Sequence, residues 1–272
     1  MPRRVLTALA MAAVGLPAII YGGVFYFLLM GIFLVGGAWE FVRLYQAVQY
    51  EPSKIITIGG VLVIATARFF FPEYAVFVLV ISILAAMTVH VIDYERGRDK
   101  AGLDFTVTVA GIVYLGWLGS YLLDLRNLPN GVWWFMFILP LVWAGDTGAY
   151  SIGAVYGKHK MSPRLSPKKS WEGYAAGIFT AIYAGALFAY AFSSLGPQPL
   201  LGLINPWQGA LLGVFISALT PLGDLGESMF KRQGGLKDSS NIFPGHGGFL
   251  DRIDTWIWGA AIGYFIIQYF IL

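Results

Sequence analysis

The stretch Tyr74-Ala-Val-Phe-Val-Leu-Val-Ile-Ser-Ile-Leu-Ala-Ala-Met-Thr-Val-His-Val-Ile92 decides the fold class of this chain. Apart from His90, it carries no side chain that takes a charge near neutral pH. Its length matches the about 20 apolar residues that a helix needs to cross the hydrocarbon core of a bilayer. Comparable apolar runs recur along the sequence, without the alternating pattern of an outer-membrane β-barrel. The sequence therefore predicts an all-α polytopic integral membrane protein.

The composition agrees with a membrane protein rather than a soluble domain. In the 272 residues the hydrophobic fraction is 57% and the charged fraction is 12%, whereas a soluble domain has about 25% charged residues. The mean hydropathy is +0.68. The chain contains no cysteine, which excludes disulfides, a thiolate nucleophile and cysteine-based metal sites.

The apolar runs predict about nine transmembrane helices. The first run follows Met1-Pro-Arg-Arg4 and is expected to be a membrane helix rather than a cleaved secretory signal. Gly22 and Gly23 are expected to form a tight turn before the second run. The predicted spans are residues 5–21, 24–46, 55–71, 74–92, 104–123, 132–150, 173–193, 207–226 and 253–272.

The distribution of basic residues predicts the orientation in the membrane. If the N-terminus is cytoplasmic, all of the 18 Lys and Arg residues except Arg68 and Arg126 fall on the cytoplasmic side. Such an asymmetry satisfies the positive-inside rule. The N-terminus is therefore predicted to be cytoplasmic and the C-terminus outside, with the two long polar loops, 151–172 and 227–252, in the cytoplasm.

The two halves of the chain differ in character. Residues 1–130 hold about five spans with short connections, and residues 131–272 hold about four spans and both long loops. The last three spans each carry a Gly-x-x-x-Gly pair: Gly173/Gly177, Gly209/Gly213 and Gly259/Gly263. Such pairs let helix backbones approach closely in lipid, although chance matches are common among 34 glycines. The close packing they suggest could lie within one chain or between two copies in a homodimer.

One polar stripe is predicted at the end of the eighth span. At helical spacing Asp224, Glu227, Ser228 and Lys231 share one face. A solvated helix end with snorkelling basic side chains is the plain alternative. It suits Asp224 poorly, because a carboxylate at the expected C-terminal end of a span is disfavoured by the helix dipole and by desolvation. A bound cation would relieve both effects.

A second pair of acids stands at the start of the ninth span. Asp251 and Asp254 are three residues apart and therefore share a helix face. One Asp would satisfy a helix cap, which is the alternative interpretation. Two on one face, with Asp224 available from the neighbouring helix, favour a site for a hard cation such as Mg²⁺, which prefers oxygen ligands.

The segment between these acids contains groups that suit an anion. Gly247 and Gly248 allow close backbone approach, and successive N–H groups can cradle a phosphate. Lys237 and Asp238 precede them, and His246 is expected to donate to a phosphate or to act as an acid. An ordinary turn with a structural histidine is the alternative.

The other long loop ends in Lys168-Lys169-Ser170-Trp171. Its lysines and Trp171 also fit a membrane-surface anchor. That interpretation leaves out Asp146, an acid within a predicted span, which is costly there and therefore predicts a function, with Lys168, Lys169 or a metal as partner. The chain lacks the Gly-rich nucleotide loops and the hydrolase motifs Gly-x-Ser-x-Gly and His-Glu-x-x-His.

The stretch from Ser228 to Asp254 resembles the signature of the phosphatidate cytidylyltransferases, the CDP-diacylglycerol synthases. The segments Asp146-Thr-Gly-Ala-Tyr150 and Lys168–Gly173 are also similar to that family, so the motifs cover roughly residues 140–254. The fixed positions of the signature are met by Ser228, Lys231, Arg232, Lys237, Asp238, Pro244, His246, Gly247, Gly248, Asp251, Arg252 and Asp254.

The resemblance implies a reaction of CTP with phosphatidate that gives CDP-diacylglycerol and pyrophosphate. It implies one or two Mg²⁺ ions, with a monovalent cation as an alternative for the second, and it makes residues 131–272 the catalytic membrane region. Asp224, Lys231, Asp251 and Asp254 are then expected to be catalytic, and Asp224, Asp251 and Asp254 to hold the metal. Substrate contacts are expected for Asp146, Lys168, Lys169, Ser170, Glu227, Ser228, Arg232, Lys237, Asp238, His246, Gly247, Gly248 and Arg252.

The expected setting is the inner membrane of a bacterial cell, with the site facing the cytoplasm. There CTP arrives from water and phosphatidate from the inner leaflet, and no nucleic-acid partner is expected. A CTP-dependent polyprenol kinase is one alternative, because its topology and metal use would be similar. An ion-coupled transporter is the non-enzyme alternative, although most of the acids lie at helix ends and no inverted repeat is visible.

Overall fold

The computed structural model describes residues 2–196, 202–243, 245 and 247–272. The chain divides into two compact units, each made of two stretches of sequence. The first unit comprises Met1–Asp124 and Met229–Asp254, and the second comprises Leu125–Ser228 and Thr255–Leu272. Because both units draw on the last third of the chain, they do not follow the order of the sequence.

The first unit is built mainly from the N-terminal helices. Its helices are α1 (Pro2–Tyr21), α2 (Gly23–Gln46), α3 (Lys54–Phe70), α4 (Ala75–Glu95) and α5 (Ala101–Gly111), with a 3₁₀ turn at Pro72–Tyr74, a π-helix at Ile112–Leu118 and α6 (Tyr121–Asn127), which ends in the second unit. Gly22 and Gly23 have positive φ angles of 68° and 56°. The tight turn predicted between the first two runs is therefore confirmed.

Charged side chains inside this apolar unit are paired. Asp104, which is fully buried, accepts hydrogen bonds from the Arg98 Nε at 2.7 Å and from the backbone N–H of Glu51 at 2.8 Å. Arg68 forms an ion pair with Asp124. The bonds from Glu51 to Asp104 and from Arg68 to Asp124 join segments that are distant in sequence. All of these bonds satisfy groups whose burial would otherwise be costly.

The second unit contains the remaining helices and one small hairpin. Its elements are α7 (Gly131–Tyr156), the antiparallel strands β1 (Lys160–Ser162) and β2 (Ser166–Ser170), α8 (Trp171–Leu195) and α9 (Pro206–Leu219). Two further helices are shared between the units, α10 (Pro221–Gln233) and α11 (Leu250–Phe270). Asn205 and Gln208 form a capping box at the start of α9, which explains why that helix begins there.

Glycines bring the helices of the second unit into close contact. A Cβ added at Gly213 would lie well inside contact distance of the Ala181 carbonyl oxygen, and one at Gly177 would lie 2.8 Å from the Gly145 carbonyl oxygen. A Cβ at Gly263 would meet the Ile138 side chain at 2.9 Å. The predicted close packing at the glycine pairs is therefore confirmed, and these contacts lie within one chain.

Each predicted apolar run coincides with helical structure. Judged by length and composition, six of the described helical segments are long and apolar enough to cross a membrane. They are Gly23–Gln46, Pro72–Glu95, Ala101–Asn127, Gly131–Tyr156, Trp171–Leu195 and Pro206–Gln233. The protein is an all-α polytopic membrane protein apart from its short hairpin, while the count of nine spans and the orientation of the termini stay predictions.

Candidate functional site

A cavity of about 610 Å³ that is lined by several charged side chains lies within the second unit. It is bounded by α7, the hairpin, the first turns of α8 and the start of α10. Its lining includes Asp146, Lys168, Lys169, Ser170 and Asp224, all of which the sequence predicted as site residues, together with Tyr150 and Lys160. The structure therefore brings together the Asp146 segment and the Lys168–Lys169 segment, which are separated in the sequence.

The hairpin fixes the position of the two lysines. Lys160 pairs with Ser170 and Ser162 with Ser166, so Lys168 and Lys169 lie on the strand that leads into α8. Ser170 is buried, and its hydroxyl accepts a hydrogen bond from the Gly173 backbone N–H at 3.2 Å. This is a helix N-cap, so Ser170 has a structural role beside the substrate contact that was predicted for it.

A histidine that the sequence analysis did not single out also holds the hairpin. The Nδ1 of His159 lies 2.6 Å from the Glu172 Oε1, and Glu172 also accepts a hydrogen bond from the His159 backbone N–H. Glu172 lies in the first turn of α8, where a carboxylate is favoured by the helix dipole. The pair therefore links the residue just before β1 to the start of α8.

Lys169 forms an ion pair with Asp224. Its Nζ lies 2.6 Å from the Asp224 Oδ2, and the side chains are 25% and 38% exposed. The same Nζ donates to the Pro221 carbonyl oxygen at 3.4 Å. Lys169 is thus the direct partner of Asp224 rather than of Asp146, although all three line one cavity.

The position of Asp224 corrects one expectation. The eighth run is not one continuous helix: α9 ends at Leu219 and α10 begins at Pro221, so Asp224 lies in the first turn of α10. The expectation that it stands at a helix C-terminus was wrong, because proline at position 221 starts a new helix. The helix dipole therefore favours the Asp224 carboxylate. Asp224 needs no cation to offset an unfavourable dipole.

The polar stripe on α10 is present. Asp224, Glu227 and Ser228 lie on this helix one turn apart or less, and the Ser228 hydroxyl donates to the Asp224 Oδ1 at 3.4 Å. Glu227 is 1% exposed and Ser228 is 9% exposed. A carboxylate buried to this extent in a membrane protein needs a positive or hydrogen-bonding partner.

In the first unit, Asp251 is the centre of a hydrogen-bonded cluster. Its Oδ1 lies 2.6 Å from the Lys231 Nζ, and its Oδ2 accepts from the backbone N–H groups of Ser239 at 3.0 Å and Gly248 at 2.8 Å. The Ser239 Oγ is also 2.6 Å from this oxygen. Burial raises the pKa of Asp251, but these donors outweigh it and lower the pKa to about 2.

The two signature glycines are required by packing against protein carboxylates. Gly247 has a φ of 78°, and a Cβ there would lie 2.5 Å from the Asp251 Oδ2. A Cβ at Gly248 would overlap the Glu40 Oε1. The close backbone approach that the sequence predicted is thus present, but the approaching groups are the side chains of Asp251 and Glu40.

Glu40 is a buried acid in the first unit that the sequence did not single out. It lies in α2 and is fully buried. It accepts hydrogen bonds from the Ser239 hydroxyl and from the Leu250 backbone N–H. A signal was present, since a carboxylate within a predicted span is functional by default. The sequence held no information about its partners, which are about two hundred positions away.

The other predicted residues occupy varied positions. Arg232, Lys237 and Asp238 are exposed, and the Arg232 Nη1 donates to the Leu236 carbonyl oxygen at 3.2 Å. Among the described residues, the buried Nε of Arg252 has no hydrogen-bond partner. Asp254 is 8% exposed and lies one turn after Asp251 in α11. His246 lies outside the described residues.

The apolar helices define a polytopic membrane protein, and its second unit holds a cavity lined by lysines and carboxylates. The model of the cytidylyltransferase family matches residues 2–270. The chain belongs to this family, as the signature predicted.

Three relatives of similar length support this assignment, and each is named phosphatidate cytidylyltransferase. The Pseudomonas aeruginosa protein is 37% identical over 258 residues, which is 93% of this chain and 92% of the relative. The Bacillus subtilis protein is 30% identical over 283 residues, covering 99% and 98%. The Staphylococcus epidermidis protein is 32% identical over 261 residues, covering 93% and 94%.

Proposed function

We propose that this protein transfers the cytidylyl group of CTP to phosphatidate, giving CDP-diacylglycerol and pyrophosphate. The observation that carries the proposal is the family match over residues 2–270, together with relatives that bear this name along nearly their whole length. In the reaction a phosphate oxygen of phosphatidate attacks the α-phosphorus of CTP. The bond from that phosphorus to the bridging oxygen breaks, and pyrophosphate leaves with the electron pair.

The chain offers positive charge of the kind that this reaction needs. Phosphoryl-type transfers depend on positioning and on charge neutralisation more than on covalent help. Lys168 and Lys169 line the cavity of the second unit, and we assign them to the phosphates of the substrates. Lys231, Arg232 and Lys237 are assigned to the same task, as the resemblance implied. No general base is required, because the phosphate of phosphatidate is already ionised near neutral pH.

The acids of α10 and α11 fit a divalent cation. Mg²⁺ prefers oxygen ligands, and Asp224, Glu227 and Asp254 are carboxylates of the kind that could hold such an ion. Glu227 and Asp254 are buried, which suits a cation that must compete with water. When bound, Mg²⁺ would neutralise the triphosphate and stabilise the attacking oxygen. Glu227 thus joins the predicted ligands as a candidate.

Asp251 stays a predicted metal ligand, but few of its lone pairs are left for a metal ion. A carboxylate has about four lone-pair positions. Two backbone N–H groups donate to the Asp251 Oδ2, the Ser239 Oγ lies 2.6 Å from the same oxygen, and Lys231 approaches the Oδ1. One position on Oδ1 remains for a metal. We therefore propose that Asp251 mainly orients Lys231 and the adjoining loop.

The proposed setting is the bacterial inner membrane with the site on the cytoplasmic side. The placement of basic residues supports this orientation through the positive-inside rule. A homodimer also stays a proposal. The glycine pairs that suggested it pack against helices of the same chain.

The test is pyrophosphate release by the purified protein in detergent. Release should require CTP, phosphatidate and Mg²⁺ together, and EDTA should abolish it. Formation of a nucleoside diphosphate with a polyprenol, without pyrophosphate, would instead establish a CTP-dependent lipid kinase. Folded protein that is inactive in both assays would contradict the enzyme and return attention to transport.

A further inference from the structure

Glu40 is a buried carboxylate in α2 with an unusually complete set of donors. Its Oε1 accepts from the Ser240 hydroxyl at 2.5 Å and from the Phe249 backbone N–H at 3.0 Å. Its Oε2 accepts from the Ser239 hydroxyl at 2.8 Å and from the Leu250 backbone N–H at 2.8 Å. Each oxygen therefore receives one hydroxyl and one backbone N–H.

These four donors lie at the two ends of one loop. We call residues 234–249, which connect α10 to α11, the signature loop. Ser239 and Ser240 belong to its first half, whereas Phe249 ends it and Leu250 begins α11. A single side chain from a distant helix thus brings both ends of residues 239–250 to one point.

The bonds to Phe249 and Leu250 also cap α11. The first backbone N–H groups of a helix have no partner within the helix, and the positive end of the helix dipole favours a carboxylate there. Glu40 supplies that carboxylate from about two hundred positions earlier in the chain. The start of α11, and with it Asp251, is therefore positioned by α2.

The contacts continue from Glu40 towards a signature lysine. Ser239, which donates to Glu40, also contacts Asp251 through its hydroxyl and its backbone N–H. Asp251 in turn pairs with Lys231 at 2.6 Å. A displacement of the Ser239 segment would therefore be transmitted to the Lys231 ammonium group.

The surroundings leave Glu40 little freedom to move. The rings of Phe33, Phe243 and Phe249 contact one another, with centroids 5.0 to 5.8 Å apart, and Phe249 is itself a donor to Glu40. The Glu40 carboxylate occupies the space that a Cβ on residue 248 would need. Because Glu40 is fully buried, bulk solvent does not reach its carboxylate to compete for these donors.

We propose that Glu40 is a positioning residue for cytidylyl transfer, holding the signature loop so that Asp251 and Lys231 keep their places. Glu40 acts through its protein partners in this proposal, and the inference rests on the proposed function only for its effect on turnover. A carboxylate is needed because four donors face it. A glutamine at this position would present an amide NH₂ to two of those donors.

The test compares Glu40→Gln with Glu73→Gln, the same change at an exposed residue outside the loop. The rate and the KM values for CTP and phosphatidate are measured per folded molecule in detergent with Mg²⁺. Glu40→Gln should lower kcat by about tenfold or more, as expected when reacting groups are misplaced. The KM for phosphatidate should change less than kcat, and Glu73→Gln should match the wild type.

Hydrogen exchange of the signature loop provides a readout independent of activity. Peptides covering residues 236–250 should exchange faster in Glu40→Gln, while peptides from α8 should be unchanged. This arm remains informative if the wild type releases no pyrophosphate, since that result would refute the proposed function and not the anchoring. Unchanged exchange of the loop would refute the anchoring directly.

A milder variant covers the case in which Glu40→Gln does not fold. Ser240→Ala removes one donor from the opposite side of the same contact, and it should lower kcat with faster exchange in the loop. Where both single variants fold, the double variant should lose less than the product of the two effects, because the groups act together. Activity per folded molecule equal to that of Glu73→Gln in either variant would overturn the proposal.

Discussion

The Asp251→Asn substitution isolates the electrostatic contribution of the signature loop to stability. Asp251 and its partner Lys231 are 9% and 10% exposed, so their charges are poorly screened. Hydrogen bonds and the Lys231 charge lower the Asp251 pKa from 3.8 to about 2 despite burial. At 1.36 kcal/mol per pKa unit, this depression is equivalent to about 2 kcal/mol of folding free energy at neutral pH.

The sign of the pH dependence follows from the direction of the shift. Since the folded pKa is below the unfolded value, the contribution is fully present above about pH 4 and declines as the pH falls towards about 2. Near pH 3 about half of it should remain. The stability difference between the wild type and Asp251→Asn should therefore shrink by about 1 kcal/mol between pH 7 and pH 3.

The assay is unfolding in mixed micelles by increasing SDS, followed by tryptophan fluorescence at both pH values. Asp99→Asn, at an exposed position, provides the matched control and should change the free energy of unfolding little. A pH-independent difference for Asp251→Asn, or one no larger than the control, would refute this account of the cluster.

Three further predictions concern the second unit. Gly213→Ala should destabilise the protein by about 1–3 kcal/mol through overpacking against the Ala181 carbonyl. Gly226→Ala should not, because a Cβ added at Gly226 meets open space. Thermal unfolding in detergent compares the two variants. Lys169→Gln should reduce pyrophosphate release by about tenfold or more, because it removes the cation that we assign to the substrate phosphates. Lys158→Gln, outside the cavity lining, should retain activity. Asp224→Asn should abolish Mg²⁺-dependent turnover in the same assay, and near-wild-type activity would remove Asp224 from the ligand set.

Local pattern was sufficient for much of the fold. A run of apolar residues in lipid must satisfy every backbone N–H and C=O within itself, so it forms a helix wherever it lies. The boundaries followed local signals too, such as the positive-φ turn at Gly22 and Gly23 and the cap at Ser170. The Pro221 break was also encoded locally, and the error about Asp224 came from treating residues 207–226 as one helix.

The site was accessible from the sequence only where its residues form a compact motif. The polar stripe of α10 and the acids of α11 follow from helical spacing. The grouping of Asp146 with Lys169 in one cavity depends instead on how α7 and α8 pack through their glycines. Spacing along the chain carries no information about such packing.

The sequence by itself determined the class of this protein, its helices and its family, because hydrophobic length and a contiguous signature are local properties. Tertiary structure alone decided that Lys169 pairs with Asp224 and that Glu40 holds the signature loop. Both contacts join residues far apart in the chain. Their formation depends on the packing of whole helices, which brings distant charges and donors together where water is excluded.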